Sequence, residues 1–418
     1  MADLSDAFRT HLCLMNSFTD PTLGKYKNRG WYQKSVDLLA ESLKVVSKHV
    51  QIDSLNEVLV SPALSTHKQR TIIQALCSQS REDAFDVSVM MVDGMSNRHT
   101  KLPQFIDQPK FVNDALRLTY SLTTVQVATM NGPNSFANYD YPSLQTVFSH
   151  NSSYVLSLIL SGLSKIEAIP SVFVLVLDSA ANNKSNVLLG GLGVILSKIY
   201  IIYPSTGHTH LSVDGHFGNL SQSIRGVNLY DPDDFITFLD SSPTVAGVDR
   251  TPTVFDFAPI QEKMMKIGNL SSNSQYCLSK GQKGEISWSV APSLHSSILY
   301  GAEKDDIALP LFQEDFQPSL FSAKIQKPNV EAINKKIDQL IHHTGNLLTK
   351  DQRDHYRKAA ITYGKQSFRQ VISDLNQKRR KTIAFDSLFD DNGEDPHITV
   401  LNYLEKHGYP TGRIPKPP

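Results

Sequence analysis

The stretch SVFVLVLD, Ser171 to Asp178, constrains this chain more than any other. It is continuously apolar and rich in β-branched residues, with no polar alternation, so it predicts a strand buried on both faces. Such a strand needs cover on both sides. NNKSNVLLGGLGVILSK follows and reads as a loop and a helix, IYIIYP as a second buried strand, and LSVDGHFGNLSQSI as a further helix. Strand, helix, strand, helix is the signature of a parallel βαβ unit, which sets the expected class as α/β.

Upstream, DVSVMMVDG is a β-rich run that delivers Asp93 to a loop at its end. LRLTYSLTTVQVATMNG offers one long strand or two short ones, and Pro142–Ile166 contains a helix whose apolar face includes Tyr154, Leu158 and Ile159. Before these strands the chain reads as helical, most clearly over Val36–Val50 with Ser35 as N-cap, and more weakly over His67–Ser78. The expected organisation is a helical region over 1–84, the α/β domain over 85–240, an irregular β-rich extension over 241–320, a basic helical region over 321–385, and an acidic then Pro-rich tail over 386–418.

Composition excludes several classes. With 418 residues, 40% hydrophobic and 20% charged, the chain can bury a core and should hold about two or three domains. Its cysteines, Cys13, Cys77 and Cys277, are too few and scattered for a disulfide framework or a paired-thiolate zinc site, which fits a reducing compartment. No secretory leader is visible, and the strongest apolar stretch, Val187–Tyr203, carries Ser197 and Lys198 and is too short for a membrane span. The expectation is therefore a protein neither secreted nor membrane-bound.

Lys+Arg and Asp+Glu each total 41, so the formal net charge is zero. The zero hides a split, because Phe321–Lys381 holds 14 Lys+Arg against 5 Asp+Glu, a surplus of nine that the rest of the chain balances. Nucleic-acid binders often gather positive charge on one element in this way. Within the basic stretch, Lys378, Arg379, Arg380 and Lys381 suit contact with a phosphate backbone or a nuclear localisation signal. A solvated helix end explains them equally well.

Three aspartates hold positions suited to chemistry. Asp93 ends the first strand, Asp178 ends the buried strand, and Asp214 opens the helix after the next strand, with 35 residues between the last two. Sites in open α/β sheets gather at the carboxyl ends of strands. Carboxylates converging there suit two Mg²⁺ or Mn²⁺ ions, the apparatus of nucleases and strand transferases. Taken singly, each is explained as well by helix capping or turn formation. Asn182, Asn183, Lys184 and Asn186 open the helix after Asp178 and could bind phosphate. In GHTHLSVDGHFG, His208 and His210 could contact phosphate or buttress the acids. A zinc hydrolase using His208, His210 and His216 is a minor alternative, since the aspartate stands four residues after His210.

VSVMMVDGMSNRHTKLP, VFVLVLDSAANNKSN and YPSTGHTHLSVDGHFGNL together resemble a transposon-derived, integrase-like domain of unknown function found in eukaryotic repeat-encoded proteins. The resemblance implies a ribonuclease-H-like mixed sheet with flanking helices, with Asp93, Asp178 and Asp214 as an acidic triad of the DDE/DDD transposase type. Leu102 and Pro103, Asn183 and Lys184, and Gly207, His208, Thr209 and Phe217 match the remaining motif positions. The implied activity is metal-dependent DNA cleavage and strand transfer in an active, degenerate or domesticated copy. DNA as partner, homo-oligomerisation and a nuclear, otherwise cytoplasmic, location follow as expectations. The competing class is a non-catalytic nucleic-acid-binding protein, with a dead ribonuclease-H-like fold or a nucleoprotein-like binding lobe.

Overall fold

The computed structural model describes residues 87–110, 112–129, 136–170, 172–204, 211–268, 270, 273–281, 283–291 and 308–379, with a few positions between 73 and 81. All of them belong to one unit, Thr66–Pro418. The expected helix at Val36–Val50, the loop holding His208 and His210, the pair Arg380 and Lys381, and the tail from 386 lie outside the described residues.

Beyond helical positions at 73, 74 and 76–78, the elements in chain order are β1 (Val87–Gly94), β2 (Lys101–Leu102), β3 (Leu118–Ala128), β4 (Phe136–Leu144) and helix α1 (Ser152–Lys165). Then come β5 (Val172–Leu177), α2 (Asn186–Ile195), β6 (Lys198–Ile202), α3 (Ser212–Ile224) and α4 (Pro232–Asp240). Short strands follow: β7 (Gly247–Val248), β8 (Phe255–Asp256), β9 (Gln275–Lys280), β10 (Ile286–Ala291), β11 (Leu309–Pro310) and β12 (Lys324–Ile325). Three helices close the described chain, α5 (Val330–Thr344), α6 (Lys350–Ile361) and α7 (Phe368–Lys378).

The architecture is mixed α/β, a large mixed sheet flanked by helices. The sheet runs β11-β10-β9-β6-β5-β1-β3-β4-β7. Among its five central strands, β4, β1, β5 and β6 point the same way and β3 alone runs against its neighbours. This order is consistent with the expected ribonuclease-H-like arrangement. LRLTYSLTTVQVA resolves as one long strand, Leu118–Ala128. The sequence pattern does not announce β4, whose FANYDYPSL contains a proline. Pro142 is tolerated because beyond Asp140 the strand pairs with β3 alone, so no second ladder demands its missing N–H.

Strand alternation sorts the core into two faces. Met90, Val92, Phe173, Leu175 and Leu177 join one cluster with α1 and α2. Val89, Met91, Val174, Val176, Tyr200 and Ile202 join another with Ile73, Leu76 and Cys77. Both faces of β5 are thus covered, which is why its sequence is apolar throughout. A Cβ on Gly162 would stand 2.5 Å from Val125 Cγ1, so glycine lets α1 lie this close to β3.

Helix starts follow local chemistry. Asn151 accepts the Tyr154 N–H at 3.1 Å to open α1, and Ser185 accepts the Leu188 N–H at 3.1 Å to open α2. The two openings are joined by a 2.6 Å hydrogen bond between the hydroxyls of Ser152 and Ser185. Asp231 caps α4 by accepting from the Asp233 and Asp234 N–H groups, and Pro232 supplies the preset φ of a first helical residue. No described helix is long and apolar enough to cross a membrane.

Candidate functional site at the carboxyl edge of the sheet

Since α1, α2 and α3 each follow a parallel strand, all three begin at the carboxyl edge of the sheet. Asp93 and Asp178 stand at that edge. Val92 of β1 pairs with Leu177 of β5, the last partners of a parallel ladder, and each aspartate is the next residue. Adjacent strands are about 5 Å apart, so the two carboxylates leave the sheet side by side.

Asp214 comes from α3, which lies over the same face. Met91, Asp93, Thr124, Gln126, Asn138 and Asp140 share this face through register and alternation. Ser212 donates to Gln126 Oε1, and His216 reaches Asp140 at 3.2 Å. The carboxyl of Asp93 is pushed up to about 7, first by its half-buried setting and then by the negative charges of Asp214 and Asp178, against the lowering effect of the Gly94 N–H that it accepts at 2.7 Å. The structure therefore brings Asp178 and Asp214 within electrostatic range of Asp93. Among the described residues no three His, Cys, Asp or Glu side chains gather closely enough to enclose one ion.

Each acid also has a local task. Asp214 Oδ2 accepts the Leu211 N–H at 2.8 Å and so satisfies an orphan donor at the start of α3. Asp178 Oδ1 accepts from Asn183 Nδ2 and, at 3.4 Å, from the Ala180 N–H. Asn183 is fixed from behind by Tyr203, whose hydroxyl donates to its carbonyl at 2.6 Å. Its own Oδ1 is buried and has no partner, and the same holds for Asn186 Oδ1. The Asp178 carboxylate with the orphan Asn183 oxygen beside it is a hard donor set, the kind that suits Mg²⁺ or Mn²⁺.

The other predicted residues divide by place. Asn182 donates from Nδ2 to the His150 carbonyl at 3.3 Å, and its own carbonyl accepts from Ser152 at 2.6 Å, which ties the loop after Asp178 to the start of α1. Lys184 donates to the Asn273 carbonyl at 2.9 Å and lies over the Tyr203 ring at 5.1 Å. Lys378 donates to the Ser164 carbonyl at 2.6 Å, and Arg379 to Ser197 Oγ at 2.5 Å and to the Ile195 carbonyl. These two cations satisfy the C-terminal ends of α1 and α2. Both helices begin at the acidic edge and run away from it, so Lys378 and Arg379 sit at the opposite end, about 15–20 Å distant by helix rise.

Sequence reasoning missed a buried polar network beside the acids. Asp140 accepts from Thr124 Oγ1 at 2.6 Å and from His216 Nε2 at 3.2 Å, while His216 Nδ1 meets Thr244 Oγ1 at 3.1 Å. Gln126 donates to Asn138 at 2.7 Å, and Asn138 to the Thr244 carbonyl at 2.7 Å. Both ring nitrogens of His216 are therefore engaged, which leaves neither for zinc. The missing signal is partner identity, since Asp140 lies in β4 and nothing near His216 in sequence points to it.

Residues 112–293 match the family described as a domain of unknown function, DUF7869. The match spans β3 to β10 and includes Asp178 and Asp214, with Asp93 upstream of it. No curated protein and no solved structure matches the chain.

Proposed function

We propose that this protein carries out metal-dependent phosphoryl transfer on DNA, of the cleavage and strand-transfer kind, at Asp93, Asp178 and Asp214. The observation that carries this reading is the side-by-side exit of Asp93 and Asp178 from adjacent parallel strands, within the field of Asp214. The charges of Asp178 and Asp214 act against the ionised form of Asp93, and divalent cations bound beside these acids would relieve that repulsion. Bound Mg²⁺ or Mn²⁺ would activate a water or 3′-hydroxyl and stabilise the leaving oxygen. Asp93 and Asp178 would hold the ions from the sheet and Asp214 from α3. Asn183 keeps Asp178 oriented and offers a further oxygen.

A plasmid-nicking assay in Mg²⁺ or Mn²⁺ tests the proposal. The wild-type chain is expected to nick, and Asp178→Asn to lose the activity while remaining folded. Equal nicking by both proteins would reject the assignment.

A non-catalytic nucleic-acid-binding protein is the second reading. It is favoured by the structural work the acids already do, since Asp214 caps α3 and Asp178 is engaged by Asn183. DNA binding that persists without cleavage by the wild type would select it.

A further inference from the structure

We infer that a second site, the cleft between the β2–β3 corner, the turn after β4 and α5, binds a phosphate group. Its volume is about 260 Å³, and its walls include Lys101, Arg117, Thr119, Thr146, Lys336 and Gln339. Arg117 is the built element. Its side chain is 6% exposed, and both terminal nitrogens are committed: Nη1 donates to Asp114 Oδ1 at 2.8 Å and Gln108 Oε1 at 3.3 Å, Nη2 to the Lys101 carbonyl and Gln104 Oε1, each at 2.6 Å. The guanidinium is thereby locked, and its Nε–H has no partner. Thr146, which also lines the cleft, has a buried Oγ1 without a partner.

Buried polar groups in folded proteins are nearly always paired. Arg117 and Thr146 thus each keep one unspent hydrogen-bonding atom beside the cleft. The charge agrees, because Lys101, Arg117 and Lys336 face a single lining carboxylate, Asp114, which the Arg117 guanidinium already holds below the usual carboxylate range. Lys336 is exposed on α5 and makes no ion pair among the described residues. Two ammonium groups, the hydroxyls of Thr119 and Thr146 and the fixed charge of Arg117 match the oxygens of a phosphate.

The cleft lies off the same end of the sheet as the acids. Asp93 pairs with Thr124, and Thr119 lies earlier on antiparallel β3, beyond the carboxyl end of β1. That offset is about 17 Å at strand rise, roughly five steps of a duplex strand. A nucleic-acid backbone reacting at the acidic edge could therefore rest a neighbouring phosphate in the cleft. This nucleic-acid source rests on the function proposed above, whereas the affinity for phosphate does not.

The test uses the full chain, wild type, Asp93→Asn and the double variant Lys101→Gln, Lys336→Gln, with folding checked by circular dichroism. Inorganic phosphate, a mononucleotide and a DNA oligonucleotide are titrated separately, the first by thermal shift and phosphorus NMR, the others by fluorescence anisotropy. Saturable phosphate binding is expected in the wild type and in Asp93→Asn, and it should be lost in the folded double variant. For the oligonucleotide, the double variant should lower the salt slope by about two, one for each lysine removed from a phosphate. If phosphate and mononucleotide bind and the oligonucleotide does not, the pocket stands and its ligand is a free phosphate compound. No saturable binding of millimolar phosphate, or unchanged binding in the folded double variant, overturns the site. Phosphate binding without any divalent-cation response in the wild type would instead defeat only the proposed function.

Discussion

Asp93 and Asp178 are the first residues past the same rung of the β1–β5 ladder, Val92 with Leu177. A parallel pair of strands thus delivers two carboxylates at one height of one edge. Antiparallel strands would place their two carboxyl termini at opposite edges, so the strand direction itself creates the acidic pair.

That pairing makes stability depend on pH in a definite sense. The folded state holds the Asp93 carboxyl at about 7 against an ordinary 3.8, mainly through burial and then through Asp214 and Asp178. A raised folded value means that the folded state prefers the proton. The contribution is complete below about 4 and is lost as pH rises through 7. Asp93→Asn is therefore expected to melt higher than wild type at pH 8, by about 1–2 kcal/mol once solvent screening is allowed for, and to differ little at pH 4. Calorimetry at the two pH values measures this. A variant less stable than wild type at pH 8 would show that Asp93 is not under repulsion.

The Asp140–His216 pair predicts a different energy pattern. Both side chains are essentially excluded from solvent, at 0% and 2% exposure. Removing one member strands the other in the core, at a cost of about 3–5 kcal/mol, while replacing both with apolar residues costs much less than the two single losses added together. Urea denaturation of Asp140→Leu, His216→Leu and the double variant measures the coupling. Strict additivity would mean that the contact does not hold α3 to the sheet.

Legibility followed the range of the forces. β5, α2 and β6 were readable because continuous apolar runs and polar helix starts such as Ser185 are local signals. Asp93, Asp178 and Asp214 could be placed because position at a strand or helix end is local as well. β4 was obscured by Pro142, whose tolerance depends on which neighbour the strand has. As a basic run Lys378 and Arg379 suit phosphate contact or a solvated helix end, yet in the fold they close the ends of α1 and α2, a role set by packing between helices far apart in sequence. The Arg117 cleft was invisible for the same reason, since its walls come from β2, β3, the turn after β4 and α5.

A third prediction concerns α4 and α6. His355 Nδ1 lies 3.0 Å from Asp231 Oδ2, and its Nε2 lies 3.6 Å from Asp233. Desolvation pulls the imidazole down, but the Asp231 hydrogen bond and the charges of Asp231 and Asp233 prevail and raise it above 6.5. A raised histidine stabilises fully below its ordinary value and less as pH climbs through the folded value. Denaturation midpoints of wild type are thus expected to fall between pH 6 and 8 more than those of His355→Gln. The difference should stay under about 1 kcal/mol, because the ring is partly solvated. An identical slope in both proteins would remove His355 from the account.

The last prediction separates orientation from charge at the acidic edge. Asn183 donates to Asp178 and leaves a buried, unpartnered Oδ1, so it either aims the carboxylate, supplies an oxygen, or does both. Groups that orient a metal-ligating carboxylate typically change affinity by 10–100-fold when removed. Asn183→Leu is close in volume and keeps no polar atom, so it should weaken Mn²⁺ binding by about that factor with little loss of stability, since it also removes an orphan buried oxygen. Asn183→Asp retains the oxygens but loses the donated hydrogen bond and adds a negative charge beside Asp178. If orientation dominates, both variants weaken binding; if ligand oxygens dominate, Asn183→Asp binds at least as tightly as wild type. Titration of Mn²⁺ followed by electron paramagnetic resonance resolves the two, and wild-type affinity in Asn183→Leu would exclude Asn183 from the site.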